Sequence, residues 1–227
     1  MNRRPFLTTS ALALLSLLFP AQAFSTRKRL PNVLILGDSI SIGYYPFVKD
    51  ALEGKVNLHR PTLPQGGFEN CAGTTHGVSK IKEWIGDTQW DLIHFNFGLH
   101  DIKHIDPQTG KNSSRFDDPQ QASPEQYEKN LDFIVQKLKK TNAKLIFATT
   151  TPYPDSNLKP ARKPGMHKVY NTVARHVMEK HNVYINDLHA FVLPRIQELQ
   201  RPQNVHFSEL GSQELAKIVV KTILKYL

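Results

Sequence analysis

LPNVLILGDSISIGYYP, residues 30–46, decides how the rest of the chain is read. Four apolar residues, Val33 to Leu36, run without alternation into Gly37-Asp38-Ser39. An unbroken apolar run of this length, closed by turn residues, is the pattern of a strand covered on both faces. A helix over 42–52 follows. Ser39 therefore has two readings. It is a turn residue that caps the helix, or it is a nucleophile carried at the end of a buried strand.

The same rhythm continues along the chain. Further strands are expected over 56–59, 91–97, 144–149 and 183–185, and helices over 78–84, 124–140, 166–180, 188–199 and 208–224. In the helix from Pro124, the residues Tyr127, Leu131, Ile134, Val135 and Leu138 share one face, with lysines opposite. This βαβα order predicts an α/β fold, a three-layer αβα sandwich around a doubly wound parallel sheet of about five strands. The longest loops, 103–123 and 152–165, follow strand C-terminal ends, where open α/β sheets bind ligands. No internal repeat is visible.

The N-terminus is set apart from this pattern. Arg3 and Arg4 precede an apolar run from Ala11 to Phe19 and then Ala21-Gln22-Ala23. A charged start, a short apolar stretch and a small-x-small site make residues 1–23 a signal peptide, with a twin-arginine-like start, ahead of a single domain over 24–227. The run is too short for a membrane span, so no stable membrane anchor is expected. The expected location is periplasmic or secreted. The formal charge is +9, and it stays basic without Arg3 and Arg4. No nucleic-acid-binding motif accompanies that charge, so nucleic acid is not an expected partner; for an exported protein it fits an anionic polysaccharide. Cys71 is the only cysteine, which rules out an intrachain disulfide and a cysteine-based metal cluster. A monomer without cofactor is expected.

Chemistry then has to come from residues gathered at one sheet edge. A helix N-terminus at Ser39 offers free N–H groups and a positive dipole end to an anionic intermediate. The serine needs a base, and His206, in QNVHFSE before the last helix, can return to that edge, with Ser208 as the cap of that helix. After the second strand comes FENCAGTTHG (68–77), holding Asn70 and Gly73. After the third comes HFNFGLHD (94–101), ending in Gly98-Leu99-His100-Asp101. Glycines and polar donors after successive strands place N–H groups where an oxyanion can sit. His94, His100 and His104 are a formal metal-site rival, without a helical pattern or a carboxylate partner.

With those blocks in order, the chain resembles the SGNH hydrolases of the GDSL esterase/lipase superfamily over nearly all of its mature length. GDSIS matches the nucleophile block, the Gly73 region the glycine block, GLHD the Gly-x-Asn-Asp block and QNVHF the Asp-x-x-His block. The resemblance implies a flavodoxin-like fold and metal-independent ester hydrolysis. It implies Ser39 as nucleophile, His206 as base and then acid, and an oxyanion hole from Ser39 N–H, Gly73 N–H and the third-block side chain. Two departures stand out. His100 replaces the usual Asn donor, and Gln203 stands three residues before His206 where the family has Asp. We expect a Ser39–His206 dyad with Gln203 as orienter of the imidazole, Asp187 or a backbone carbonyl being the alternatives. The glycine block fits with either Ala72 or Gly73 as donor. Asp38 and Asp101 are expected to support the nucleophile turn and the third block by hydrogen bonding.

The expected substrate is an acetyl or other short-chain ester on a polysaccharide or oligosaccharide. The rivals are a lipase or thioesterase of the same family, and a carbohydrate- or ligand-binding protein on a decayed hydrolase scaffold. The missing Asn and Asp argue for the last.

Overall fold

The computed structural model describes Met1 and residues 29–227; apart from Met1, the signal peptide expected over 1–23 lies outside the described residues. The elements follow in the order β1 (Asn32–Leu36), α1 (Ser39–Ala51), β2 (Asn57–His59), α2 (Thr74–Ile85), β3 (Leu92–Phe95), α3 (Pro124–Lys139), β4 (Lys144–Ala148), α4 (Met166–His181) and β5 (Tyr184–Asn186). Then come α5 (Leu188–Val192), a 3-10 turn (Leu193–Arg195), α6 (Ile196–Leu199) and α7 (Glu209–Tyr226).

All five strands are parallel, in the order β2-β1-β3-β4-β5. β1 and β3 pair directly, Val33 with Leu92 through Leu36 with Phe95. Val33 to Leu36 are at most 2% exposed, which is why the run carries no polar alternation. α7 packs on α1, while α2, α3 and α4 pack in sequence with one another. The apolar face read on α3 is the buried one: Tyr127, Leu131, Ile134, Val135 and Leu138. The chain reverses its winding direction between β1 and β3. The crevice at the carboxyl ends of those two strands is the switch point where such sheets bind ligands.

Several boundaries differ from the sequence reading, α2 for one starting at Thr74 rather than 78, and three of them have a clear local reason. α1 starts at Ser39, three residues early, because Asp38 caps it by accepting from Ile40 N–H at 2.9 Å. β3 ends at Phe95; the Phe97 carbonyl accepts instead from the Tyr127 hydroxyl, 2.8 Å, and the Thr150 hydroxyl, 3.2 Å. The helix expected over 188–199 is broken into three pieces at Pro194, which lacks the N–H a continuous helix needs.

The segment 200–208 brings the last functional block back to the sheet edge. Ser208 caps α7, accepting from Gly211 N–H at 3.0 Å. The Leu199 carbonyl, at the end of α6, accepts both Ser208 N–H and Ser208 Oγ–H. A Cβ added to Gly211 would stand 2.1 Å from that same carbonyl oxygen, a backbone atom that cannot rotate away. Gly211→Ala should therefore destabilise the fold by about 2 kcal/mol. A thermal melt would show it as a Tm lower by about 4–8 °C, and an unchanged Tm would refute this account of the clamp.

Candidate active site

The turn after β1 removes one of the two readings of Ser39. Asp38, not Ser39, is the cap, and Ser39 is the first residue of α1 with its side chain free of that duty. Asp38 is buried, and burial raises its pKa, against the Ile40 N–H bond and nearby cations that lower it. Ser41 Oγ–H donates to the Asp38 carbonyl at 2.7 Å, and buried Arg60 bonds both Ser41 Oγ and the Gly37 carbonyl. The turn is thus fixed from two sides.

Ser39 Oγ lies 2.9 Å from His206 Nε2. The other ring nitrogen, Nδ1, lies 2.8 Å from Asn204 Oδ1, and the same oxygen accepts from the His206 backbone N–H at 3.0 Å. That second bond settles the proton. A backbone N–H only donates, so the Asn204 atom facing it must be the amide oxygen. The oxygen in turn only accepts, so Nδ1 carries the hydrogen and Nε2 presents its lone pair to the serine. Burial, the largest effect, holds the His206 pKa below the ordinary imidazole value, with Arg201 and Arg162 adding to it and Asp38 opposing. The ring is neutral at neutral pH.

The orienting contact expected of Gln203 is therefore made by Asn204. The reason is the turn: Asn204 N–H bonds the Arg201 carbonyl at 3.2 Å, Pro202 takes the second position, and Gln203 takes the third with φ 49°. That conformation leaves Gln203 exposed at the tip. Asn204, one residue on, closes an Asx-turn onto His206. Asx-turn chemistry is a known habit of Asn and was the available signal. Asp187 is not the orienter either. It caps α5 through Ala190 N–H, accepts from Thr149 Oγ1 at 2.9 Å and pairs with Arg175.

The remaining blocks line up around the serine. Asn70 Oδ1 accepts from Ala72 N–H at 2.9 Å, so that amide is occupied. Gly73 N–H is bonded to no described residue, and neither is Ser39 N–H. Asp101 is fully buried and its Oδ1 accepts from Thr74 N–H, 2.8 Å, and Thr74 Oγ1–H, 2.6 Å, which fastens the third block to the glycine block. Burial pushes the Asp101 carboxyl up to about 7, against those bonds from Thr74. The other oxygen, Oδ2, is buried without a partner. His100 is held neutral, its pKa pushed down to about 3 by burial first and then by the cations of Lys103 and Arg162. Its Nδ1 is sealed off without a partner, so Nε2 is the nitrogen left to face the cleft.

Ser39, His206, Asn204, Asn70 and His100 line one open cleft. Lys103, Lys159 and Arg162 line it as well, residues to which the sequence reading assigned no role. His94 and His104 are turned to other partners, Asn186 and the Asp118 carbonyl. Among the described residues no three His, Cys, Asp or Glu side chains converge on a point suited to a metal ion. No helix among them is long and apolar enough to cross a membrane.

The sequence matches that of the GDSL-like Lipase/Acylhydrolase family over residues 35–214, a span that includes Ser39 and His206. No curated protein sequence matches it. Solved structures share the fold. A lipase/acylhydrolase from Enterococcus faecalis is 21% identical, with a TM-score of 0.67, 86% of this chain and 95% of that one being covered. An acetyl xylan esterase, AlAXEase, is 19% identical with a TM-score of 0.63, covering 85% and 99%. A mutant acetyl-xylooligosaccharide esterase from Geobacillus Stearmophilus is 16% identical with a TM-score of 0.62, covering 86% and 93%.

Proposed function

Because this chain belongs to the GDSL-like Lipase/Acylhydrolase family and is an ester hydrolase, we propose that it is an exported serine esterase removing acetyl or other short acyl groups from carbohydrate. The observation that carries the reading is the relay Ser39 Oγ–His206 Nε2–Asn204, with the imidazole held in the tautomer a general base needs.

The proposed steps are these. Ser39 Oγ attacks the ester carbonyl carbon while its proton passes to His206 Nε2. The carbonyl oxygen becomes an oxyanion, for which Ser39 N–H, Gly73 N–H and a neutral His100 N–H are the donors. The start of α1 adds its positive dipole end there. Collapse breaks the carbon–oxygen bond to the sugar; the leaving oxygen takes the proton from His206 Nε2 and departs as the hydroxyl, the acyl group staying on Ser39 Oγ. Water, deprotonated by the same nitrogen, then attacks the acyl–serine, releases the carboxylic acid and restores Ser39. Asn204 keeps Nδ1–H directed throughout but brings no charge to stabilise the imidazolium.

A carbohydrate substrate is supported by the open cleft, whose lining sets Asn70, His100 and Asn112 beside Leu99, Leu158 and Val205, and by the two similar folds described as acetyl xylan and acetyl-xylooligosaccharide esterases. Export is supported by the signal-like residues 1–23, and a basic monomer suits an exported enzyme. The test is a series of chromogenic acetyl, butyryl and longer-chain esters with purified mature protein. We expect kcat/KM to be highest for acetyl and to fall with each lengthening; a rise toward long chains would move the reading to a lipase or thioesterase.

A further inference from the structure

The two long loops after β3 and β4 bring positive charge to the cleft and nothing to balance it. Lys103 comes from the first loop, Lys159 and Arg162 from the second, and no Asp or Glu lines the cleft. The loops are tied together next to these residues. His104 N–H bonds the Ala161 carbonyl at 2.9 Å, and Ala161 N–H bonds the Ser113 carbonyl at 2.8 Å. The positions of Lys103 and Arg162 are therefore built in.

Arg162 is only 6% exposed. Its Nε–H donates to the Leu99 carbonyl at 3.1 Å and its Nη1–H to the Pro160 carbonyl at 3.3 Å, while Nη2 bonds no described residue. Among the described residues no carboxylate lies within ion-pair distance of Lys103, Lys159 or Arg162. Burial lowers the Arg162 pKa, opposed by Tyr153 and then by Asp38, a carboxyl committed to Ile40 N–H and itself driven toward protonation by burial. The pKa of Lys103 is lowered by burial first and then by Arg162, with buried Asp101 opposing.

Two neutral carbonyls do not require a guanidinium; a glutamine amide would serve them. Burying an arginine without a carboxylate, beside a lysine, is costly unless an anion completes the set. A guanidinium with one free edge next to an ammonium is the usual receptor for carboxylate or sulfate oxygens.

We propose that the ester substrate carries an acidic group beside its acyl group, and that Arg162 and Lys103, with Lys159 at the rim, form the subsite that holds it. The acidic group is a uronic acid carboxylate or a sugar sulfate. The proposal rests on the esterase reading of this cleft for its placement beside Ser39. It also gives the cleft a selectivity that the oxyanion donors alone would not have.

The test compares acetylated methyl glucuronoside with acetylated methyl glucuronamide, the same skeleton without the charge, and adds an acetylated methyl glucoside sulfate to separate carboxylate from sulfate. At low ionic strength kcat/KM should favour an acidic ester by at least about tenfold. The ratio should shrink toward one near 1 M salt, where the Debye length is about 3 Å. Lys103→Glu should reverse the preference. Binding of the unacetylated sugars to Ser39→Ala protein, followed by calorimetry, reads the subsite without turnover, and the acidic sugars should again bind at least about tenfold tighter than the amide.

Acidic and neutral sugars behaving alike in both turnover and binding would overturn the proposal and leave the esterase reading intact. Charge-selective binding without turnover of any ester would do the reverse.

Discussion

His206→Ala lowers kcat/KM toward acetyl esters by about 10⁵–10⁶-fold and abolishes labelling of Ser39 by a fluorophosphonate. The size follows from how such residues work as a unit. With the base gone the serine hydroxyl keeps its proton, and what remains is binding plus oxyanion donation, about 10³–10⁴ over water in comparable serine enzymes. Ser39→Ala should cost about the same, and the double variant little more, because each single change already removes the whole relay. The fold should survive, since His206 is only partly buried and the core residues of its segment are its neighbours Val205 and Phe207; circular dichroism and a thermal melt check that. The measurement is mass spectrometry of the labelled peptide. An adduct on Ser39 in the wild type, lost in His206→Ala, is the expected result. An adduct on another serine, or none on folded wild-type protein, would refute the relay and favour a binding protein on a hydrolase scaffold.

Much of this site was legible because it hangs on the sheet edge. A continuous apolar run has one interpretation in a parallel sheet, so β1 and the address of Ser39 could be read from residues 30–46 alone. Ser208 as cap and the one-sided pattern of α3 are equally local, and both are present as read. What could not be read depended on the direction of a single side chain. Gln203 and Asn204 are neighbours of similar chemistry, and only the positive φ at Gln203 decides which of them faces the imidazole. Alignment by spacing favours the wrong one, whereas the local chemistry of an Asx-turn favours Asn204. Ala72 and Gly73 posed the same kind of question. There the Asn70 side chain occupies one amide and leaves the other unbonded among the described residues. Arg162 and Lys103 went unread for another reason. Their meaning lies in two loops meeting, and loops 103–123 and 152–165 have no periodicity from which a meeting can be foreseen.

Asn204→Ala should lower kcat/KM by about a hundredfold to ten-thousandfold, while Gln203→Ala should change it by less than about threefold. Loss of Oδ1 releases Nδ1, so the imidazole can place its hydrogen on Nε2 and point a donor, not a lone pair, at Ser39. In a serine protease an amide in place of the triad carboxylate is harmful because it favours that wrong tautomer. Here the His206 backbone N–H fixes the amide's oxygen inward, so the amide performs the orienting half of the carboxylate's task. The charge half is missing, and Asn204→Asp should supply it. A carboxylate 2.8 Å from Nδ1 favours the imidazolium, raising kcat by about fivefold to tenfold, the margin between a neutral and a charge-assisted hydrogen bond. The same charge raises the His206 pKa. In the wild type, kcat/KM should be flat above the His206 pKa and fall as pH drops through it, with a midpoint below the ordinary value of about 6.5 because the buried ring resists protonation. In Asn204→Asp that acid limb should move to higher pH, so the variant gains rate at neutral pH and loses its advantage in acid. A limb that stays in place, or a Gln203→Ala loss as deep as that of Asn204→Ala, would mean that another group orients the base.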